Sequence, residues 1–417
     1  MTYKKIKNKN NTIHVIDSNR FKEMHIAIYF TKKANNDEMA LGNLLCPNMT
    51  YTCKKYNTKS KIAIRGEELF GAKVSTSFGY NGNSQSYVVG LQMLNPKYTA
   101  EEYLDESLDF LYEILFNPNV DEEGFNETFF NITKNDYINS IKSIKENPNE
   151  IGSILYDRII FKGTLLEKCI PSIEEIEKIS RKDLYEYYKK LFDGSYNINI
   201  IIHGEDAESI VDKLSNRFKD IKGNNEKITF DIERSFTDKV IEKSESYSFK
   251  QSRLYIGYSL KDLNYHERKH VLRVYNLILG SMTDSLLFDN VREKYSLCYS
   301  INSSFNRYTP VLTVSAGINK NNFEEAKKRI FETVELMKDK SIIDKYITQA
   351  KETFNTYTNS FYDDIFSQIN HYFYEEFNFA EDVEELRDNI NKVTSDEVIE
   401  LSKKLYLNVI FFMRGDE

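Results

Sequence analysis

Histidine is scarce in this chain, and its placement matters more than its number. Six of the 417 residues are histidine, and none lies between His25 and His203. A histidine-based metal site therefore cannot be built inside that stretch in any register. Tryptophan is absent, which with the abundance of Asn, Lys, Ile and Tyr points to an AT-rich genome rather than to a function. The four cysteines, Cys46, Cys53, Cys169 and Cys298, are too far apart or wrongly spaced for CxxC. A thiol–metal site is thereby disfavoured, and free thiols packing as small hydrophobes are expected. No run approaches the roughly 20 apolar residues that span a bilayer. Nor does one charge dominate: 56 basic and 64 acidic residues are interspersed and sum to −8. That balance argues against nucleic acid or a membrane as the main partner. The opening stretch from Met1 to Asn11 is basic, but no apolar run follows it, so it does not read as a signal peptide and a cytoplasmic location is expected.

What is present fits a folded chain. Hydrophobic residues make up 41% and charged residues 29%, and the length exceeds what one core ordinarily serves, so at least two domains are expected. Two halves follow one plan. In the first, strands are expected at His25–Phe30, Ser86–Met93 and Ile198–Gly204. Helices are expected at Met39–Asn48, Ser60–Phe70 and, with breaks at Pro118 and Pro148, from Thr99 to Phe192, with another from Asp206 to Phe218. A polar connection with room for one strand covers 221–246. The second half has strands at Ser252–Tyr258, Tyr299–Phe305, Val311–Ala316 and Val409–Asp416. Its helices fall at Tyr265–Leu279, Asp284–Lys294, Asn322–Lys338 and onward to Leu405. The reading is α+β, in two similar domains over 1–220 and 247–417.

Several segments invite a chemical reading. His266-Glu267-Arg268-Lys269-His270 satisfies H-E-x-x-H, which on a helix places two imidazoles on one face with a glutamate between them. Two further charges inside the motif favour a plain helical turn, exposed and solvated. Phe78-Gly79-Tyr80-Asn81-Gly82-Asn83 is glycine-rich without a phosphate-loop pattern and reads as a turn. Lys54, Lys55, Lys59, Lys61 and Arg65 read as a solvated basic face. Arg292 and Tyr299, seven residues apart, supply a guanidinium and a phenol. Taken alone, they favour a surface ion pair and a ring packed at a strand edge over a functional pair.

The block from Leu277 to Ser300, with Val291-Arg292-Glu293-Lys294-Tyr295-Ser296-Leu297-Cys298-Tyr299 at its heart, carries a resemblance. So do Leu69-Phe70-Gly71-Ala72-Lys73-Val74, Ile200-Ile201-Ile202-His203-Gly204-Glu205 and Ala316-Gly317-Ile318. Together they resemble the insulinase/pitrilysin family of inverted-zincin peptidases, to which the subunits of mitochondrial processing peptidase belong. The resemblance implies two homologous α+β domains, each an antiparallel-rich sheet with helices on one side, closing clam-like on a peptide chamber. It also implies a zinc site of the form H-x-x-E-H plus a distant glutamate in the first domain. In this sequence Leu44, Pro47 and Asn48 stand at those three positions. The helix expected to bring the third ligand, Asn126 to Ile144, has Glu127 only at its start.

Arg292 and Tyr299 match the family's substrate-holding arginine and oxyanion-donating tyrosine, and the resemblance implies those roles for them. The expectation is a non-zinc subunit: no cofactor in this chain, zinc in a homologous partner subunit, and a peptide as substrate. A homodimer is an option for the isolated chain. Metalloendopeptidase activity is then expected only with the partner, in the manner of bacterial members tied to peptide maturation. The alternative is an inactive peptide-binding or scaffold subunit of a peptide-maturation or protein-modification complex.

Overall fold

The computed structural model describes residues 1–100, 102–219, 221–234 and 239–416. They form two compact units that are discontinuous in sequence. The first comprises Met1–Ser143, Ile170–Phe230 and Asp363–Ala380; the second comprises Ile144–Cys169, Asp231–Tyr362 and Glu381–Glu417.

The first unit is built on strands β1 (Thr2–Lys7), β2 (Thr12–Asp17), β3 (Glu23–Lys33), β4 (Lys73–Asn81) and β5 (Ser84–Leu94), with a two-residue ladder β6 (Val120–Asp121) and β7 (Gly124–Phe125) set apart. Strands β8 (Asp193–Gly204) and β9 (Lys222–Asn224) complete it. The main sheet runs β1-β2-β8-β3-β5-β4, with β9 also on β8. The central strands β3 and β8 carry apolar runs rather than strict alternation, because both of their faces are covered. Each expected strand of the first half is present, a little longer than its apolar run. Strands β1 and β2 were not expected: β1 is a polar edge strand, and β2 hides His14 in its middle. The glycine-rich stretch is also corrected. Phe78 to Asn81 belong to β4, and only Gly82 and Asn83 form the turn, with Gly82 taking the left-handed conformation (φ 59°) that starts a tight two-residue hairpin.

The second unit has strands β10 (Ile241–Ser246), β11 (Ser252–Leu260), β12 (Cys298–Asn306), β13 (Val311–Ile318) and β14 (Leu405–Arg414), ordered β10-β14-β11-β13-β12. The 221–246 connection, expected to hold one strand, holds two: the short β9 of the first unit and β10 here. One face of the sheet presents Leu254, Ile256, Val314, Ala316, Ile410 and Phe412 to a core shared with the helices that follow β11 and β13. The opposite face carries one helix, Pro148–Ile160, drawn from the first half of the chain. Tyr156 on it stacks on Tyr255 and hydrogen-bonds to Thr313 at 2.8 Å. The arrangement is reciprocated. Helix Ile365–Glu376, from the second half, belongs to the first unit, where Phe373 stacks on Tyr29 and Gln368 meets His203 at 2.8 Å.

Candidate functional site

In the first unit, the three positions of the zinc motif, Leu44, Pro47 and Asn48, lie on helix Met39–Thr50. Leu44 is fully buried, so its methyl groups occupy core rather than a cleft. Pro47 stands inside the helix, where it has no N–H to donate to the carbonyl of Asn43. Asn48 is buried and spends its amide on the protein: Nδ2 donates to the Leu44 carbonyl at 2.8 Å and to Thr133 Oγ1 at 2.7 Å. Thr133 in turn donates to the Phe130 carbonyl at 3.0 Å. Thr133 sits on helix Glu127–Ile144, the element from which the third ligand was expected. A direct side-chain hydrogen bond thus joins the two helices there. Leucine and proline offer no donor atom, and Asn48 could offer only a neutral amide oxygen while its Nδ2 holds Leu44 and Thr133, so these residues do not fit zinc. Among the described residues, no group of three or more His, Cys, Asp or Glu side chains is placed to hold a metal ion.

In the second unit, Arg292 and Tyr299 come together on one pocket. The chain enters it on a wide helical segment, Phe288–Glu293, whose hydrogen bonds reach five residues back, as in Lys294 N to Asp289 O at 3.0 Å. Val291 is driven into the core and Arg292 outward. Ser296, in the left-handed conformation (φ 51°), then turns the chain into β12. Pairing with β13 slips between Cys298 and Ser300, a bulge that leaves Tyr299 outside the ladder. Its ring is 67% exposed. The guanidinium of Arg292 lies 4.8 Å from the Phe288 ring centroid. Neither the surface ion pair for Arg292 nor the packed ring for Tyr299 is what the fold provides.

The pocket encloses about 370 Å³ and is lined by Arg292, Glu293, Ser296 to Tyr299, Asn319 and Asn322. Asn322 braces its floor by donating to the Leu297 carbonyl at 3.2 Å. Burial pushes the Cys298 thiol up to about 11, against the opposing pull of Arg292, so it stays protonated and unreactive at neutral pH. The pocket's chemistry is therefore mainly donation: a planar fork of N–H groups and a phenolic O–H, both turned to solvent and suited to a carbonyl oxygen or a developing oxyanion.

The H-E-x-x-H segment differs from its expected form. It opens a helix, but His270 is buried rather than solvated. Its Nε2 meets Glu381 at 2.8 Å, and Nε2 of His266 meets Glu397 at 3.0 Å. The two Nδ1 atoms face each other at 3.0 Å, and Glu267 pairs with Lys404. Both imidazoles thus clamp carboxylates that arrive more than a hundred residues later. The sequence could not show this, because the partners are remote. The basic face behaves as read: Lys54, Lys55, Lys59 and Lys61 are exposed, and Arg65 pairs with Glu68 and Glu106.

A family model described as the peptidase M16 inactive domain matches residues 178–354, a span that includes the whole Arg292–Tyr299 block. A Bacillus subtilis protein described as a probable inactive metalloprotease, YmfF, is 22% identical over 97% of this chain and 96% of its own length. Over those spans the chain is similar to the insulinase (M16) peptidases, and to members described as inactive. A second B. subtilis relative, described as an uncharacterized zinc protease, YmxG, is 24% identical over 60% of each chain. The crystal structure of a conserved protein from Enterococcus faecalis covers 99% of both chains with a TM-score of 0.91 at 25% identity. The fold, two α+β units, is therefore shared from end to end with that structure, while Leu44, Pro47 and Asn48 of the first unit lack the donor atoms of a zinc motif.

Sequence reasoning singled out Arg292 and Tyr299, which the fold brings to one pocket, and Leu44, Pro47 and Asn48, which it places on one helix. It missed the Asn48–Thr133 bond and the bulge at Tyr299. A slip in strand pairing leaves no signal in a single sequence.

Proposed function

We propose that this chain is the non-zinc subunit of a two-chain M16 peptidase, presenting Arg292 and Tyr299 to a peptide held at a homologous partner's zinc site. One observation carries the reading: the first unit has closed its own metal positions with hydrocarbon and internal hydrogen bonds, while the second keeps a guanidinium and a phenol unspent on one open pocket. Maintaining exposed, unpaired donors does nothing for stability, whereas donation to a peptide carbonyl and its oxyanion gives them a use. In B. subtilis, one relative described as inactive and one described as a zinc protease come from the same organism, which supports pairing between such chains. This chain's part is confined to holding and polarising the peptide.

The test is to purify the chain and a zinc-bearing M16 homologue from the same organism and assay peptide cleavage separately and mixed. The mixture should exceed the homologue alone, and Arg292→Ala should reduce kcat/KM of the mixture by about a hundredfold or more. A mixture no more active than the homologue, with Arg292→Ala silent, sinks the shared-site reading and leaves a binding or scaffold subunit.

A further inference from the structure

Beside the Arg292–Tyr299 pocket, three residues lie in one row across the second sheet. Arg253 on β11 pairs with Gly317 on β13, and Gly317 pairs with Ser300 on β12, the residue after Tyr299. The middle member has no side chain, and the donors of its neighbours lean over it. A methyl group at Gly317 would lie 2.8 Å from Arg253 Nη1, 2.9 Å from Gln251 Nε2 and 3.0 Å from Ser300 Oγ. Three hydrogen-bond donors from two segments, the start of β11 and the start of β12, therefore converge above one bare backbone position. A glycine inside a strand is costly, and it marks places where another group comes close.

The donors are not satisfied by one another. Arg253 Nη1 reaches Ser300 Oγ only at 3.4 Å, a long and weak contact, and its Nε is buried with no partner. Burial holds the Arg253 guanidinium below its ordinary range, and Tyr255 opposes that shift; no carboxylate contributes to its surroundings. A half-buried cation without a counter-ion and with an orphaned N–H is expensive, and proteins rarely leave one so. Elsewhere in the same unit the arginines at 268, 329 and 387 each have a carboxylate partner.

We infer that Arg253, Gln251 and Ser300 form a cradle over Gly317 that binds a carboxylate of a peptide. The cradle goes beyond the shared-zinc reading, since it needs neither a partner nor catalysis. A carboxylate has two acceptor oxygens and a negative charge, which matches a guanidinium edge flanked by an amide N–H and a hydroxyl. Because Ser300 follows Tyr299, a peptide anchored here by its terminal carboxylate or by an acidic side chain would have neighbouring backbone at the pocket. The consequence is a preference for acidic or carboxyl-terminal segments.

The full chain alone is titrated calorimetrically with four probes: acetyl-tetra-alanine as the free acid, the same peptide as the amide, acetyl-Ala-Asp-Ala-Ala-amide, and inorganic phosphate. The proposal expects the free acid, the aspartyl peptide or both to bind at least about tenfold more tightly than the neutral amide. Which of the two does so identifies the source of the carboxylate. Arg253→Gln should bring the charged peptides to the level of the amide without lowering Tm, since it removes an unpaired half-buried charge. Gly317→Ala, whose methyl meets only side-chain ends, should do the same by filling the cradle. Equal affinity for acid and amide, binding of phosphate alone, or an Arg253→Gln chain that still discriminates would each overturn the proposal. None of these outcomes bears on cleavage by the mixed subunits, so the two readings fail separately.

Discussion

The two units treat the polar side chains of their candidate faces in opposite ways. In the first, Leu44 is sunk in the core, and Asn48 and Thr133, both buried, satisfy each other across two helices. In the second, Arg292 is exposed, Tyr299 stands out of a strand bulge, and Arg253 keeps a buried N–H without a partner. Polar groups that no longer meet a ligand tend to be replaced or paired internally, because an unsatisfied buried donor costs about 1–3 kcal/mol. The first face follows that rule and the second does not. The contrast is what motivates looking for function in the second unit.

The hardest test of the contrast is to force the lost motif back. The triple variant Leu44→His, Pro47→Glu, Asn48→His puts two imidazoles at buried positions and a carboxylate at a half-buried one. Helix Glu127–Ile144 offers no glutamate beyond its first residue to complete the site. We expect a loss of about 3–5 kcal/mol in denaturant unfolding and no tight zinc binding by chelator competition. Stable folding with stoichiometric zinc would mean that the first face is an open site after all.

A milder pair of substitutions sharpens the same point. Asn48→Ala strands Thr133 Oγ1 without its donor and should cost about 1–3 kcal/mol. Arg292→Ala and Tyr299→Phe should each stay within about 0.5 kcal/mol, because neither side chain contributes to the core. Equal destabilisation by all three would give Arg292 and Tyr299 a structural role and remove the main support for the proposed function.

How much of this was legible in the sequence depended on distance along the chain. Apolar runs such as Ile198 to Ile202 announced central strands, and it was the family resemblance that marked Leu44, Pro47 and Asn48 as standing where a zinc motif would be. What stayed hidden was anything made by remote partners. Asn48 meets Thr133 across 85 residues, and His270 meets Glu381 across 111. The exchange of helices Pro148–Ile160 and Ile365–Glu376 between halves was equally invisible, since each reads as an ordinary amphipathic helix. Edge strand β1 was missed because it buries too little to show an apolar pattern. Gly79 misled in the other direction by suggesting a turn inside what is strand β4.

The last contrast is one of pH, and the two units should respond with opposite sign. In the first unit, burial holds His14, His25 and His203 below the ordinary histidine range, so the folded state refuses protons that the unfolded chain accepts. Their contribution is present above the unfolded value of about 6.5 and is lost as the medium becomes more acid. In the second unit, burial raises the Asp157 carboxyl to about 6. There the folded state binds the proton more tightly than the unfolded chain, so acidification from pH 7 to 5 relieves a buried charge. Glu381 and Glu397 do not interfere in that window. Burial opposes their ionisation, but hydrogen bonds from His270 and Tyr265 to the one, and from Thr394 and His266 to the other, hold both below the usual carboxylate range. Hydrogen exchange, corrected for the intrinsic pH effect, should therefore show β3 and β8 losing protection between pH 7 and 5. Over the same interval helix Pro148–Ile160 should gain up to about tenfold, and Asp157→Asn should abolish that gain. Parallel loss in both places would show that Asp157 does not govern the helix and that the two faces share one response to acid.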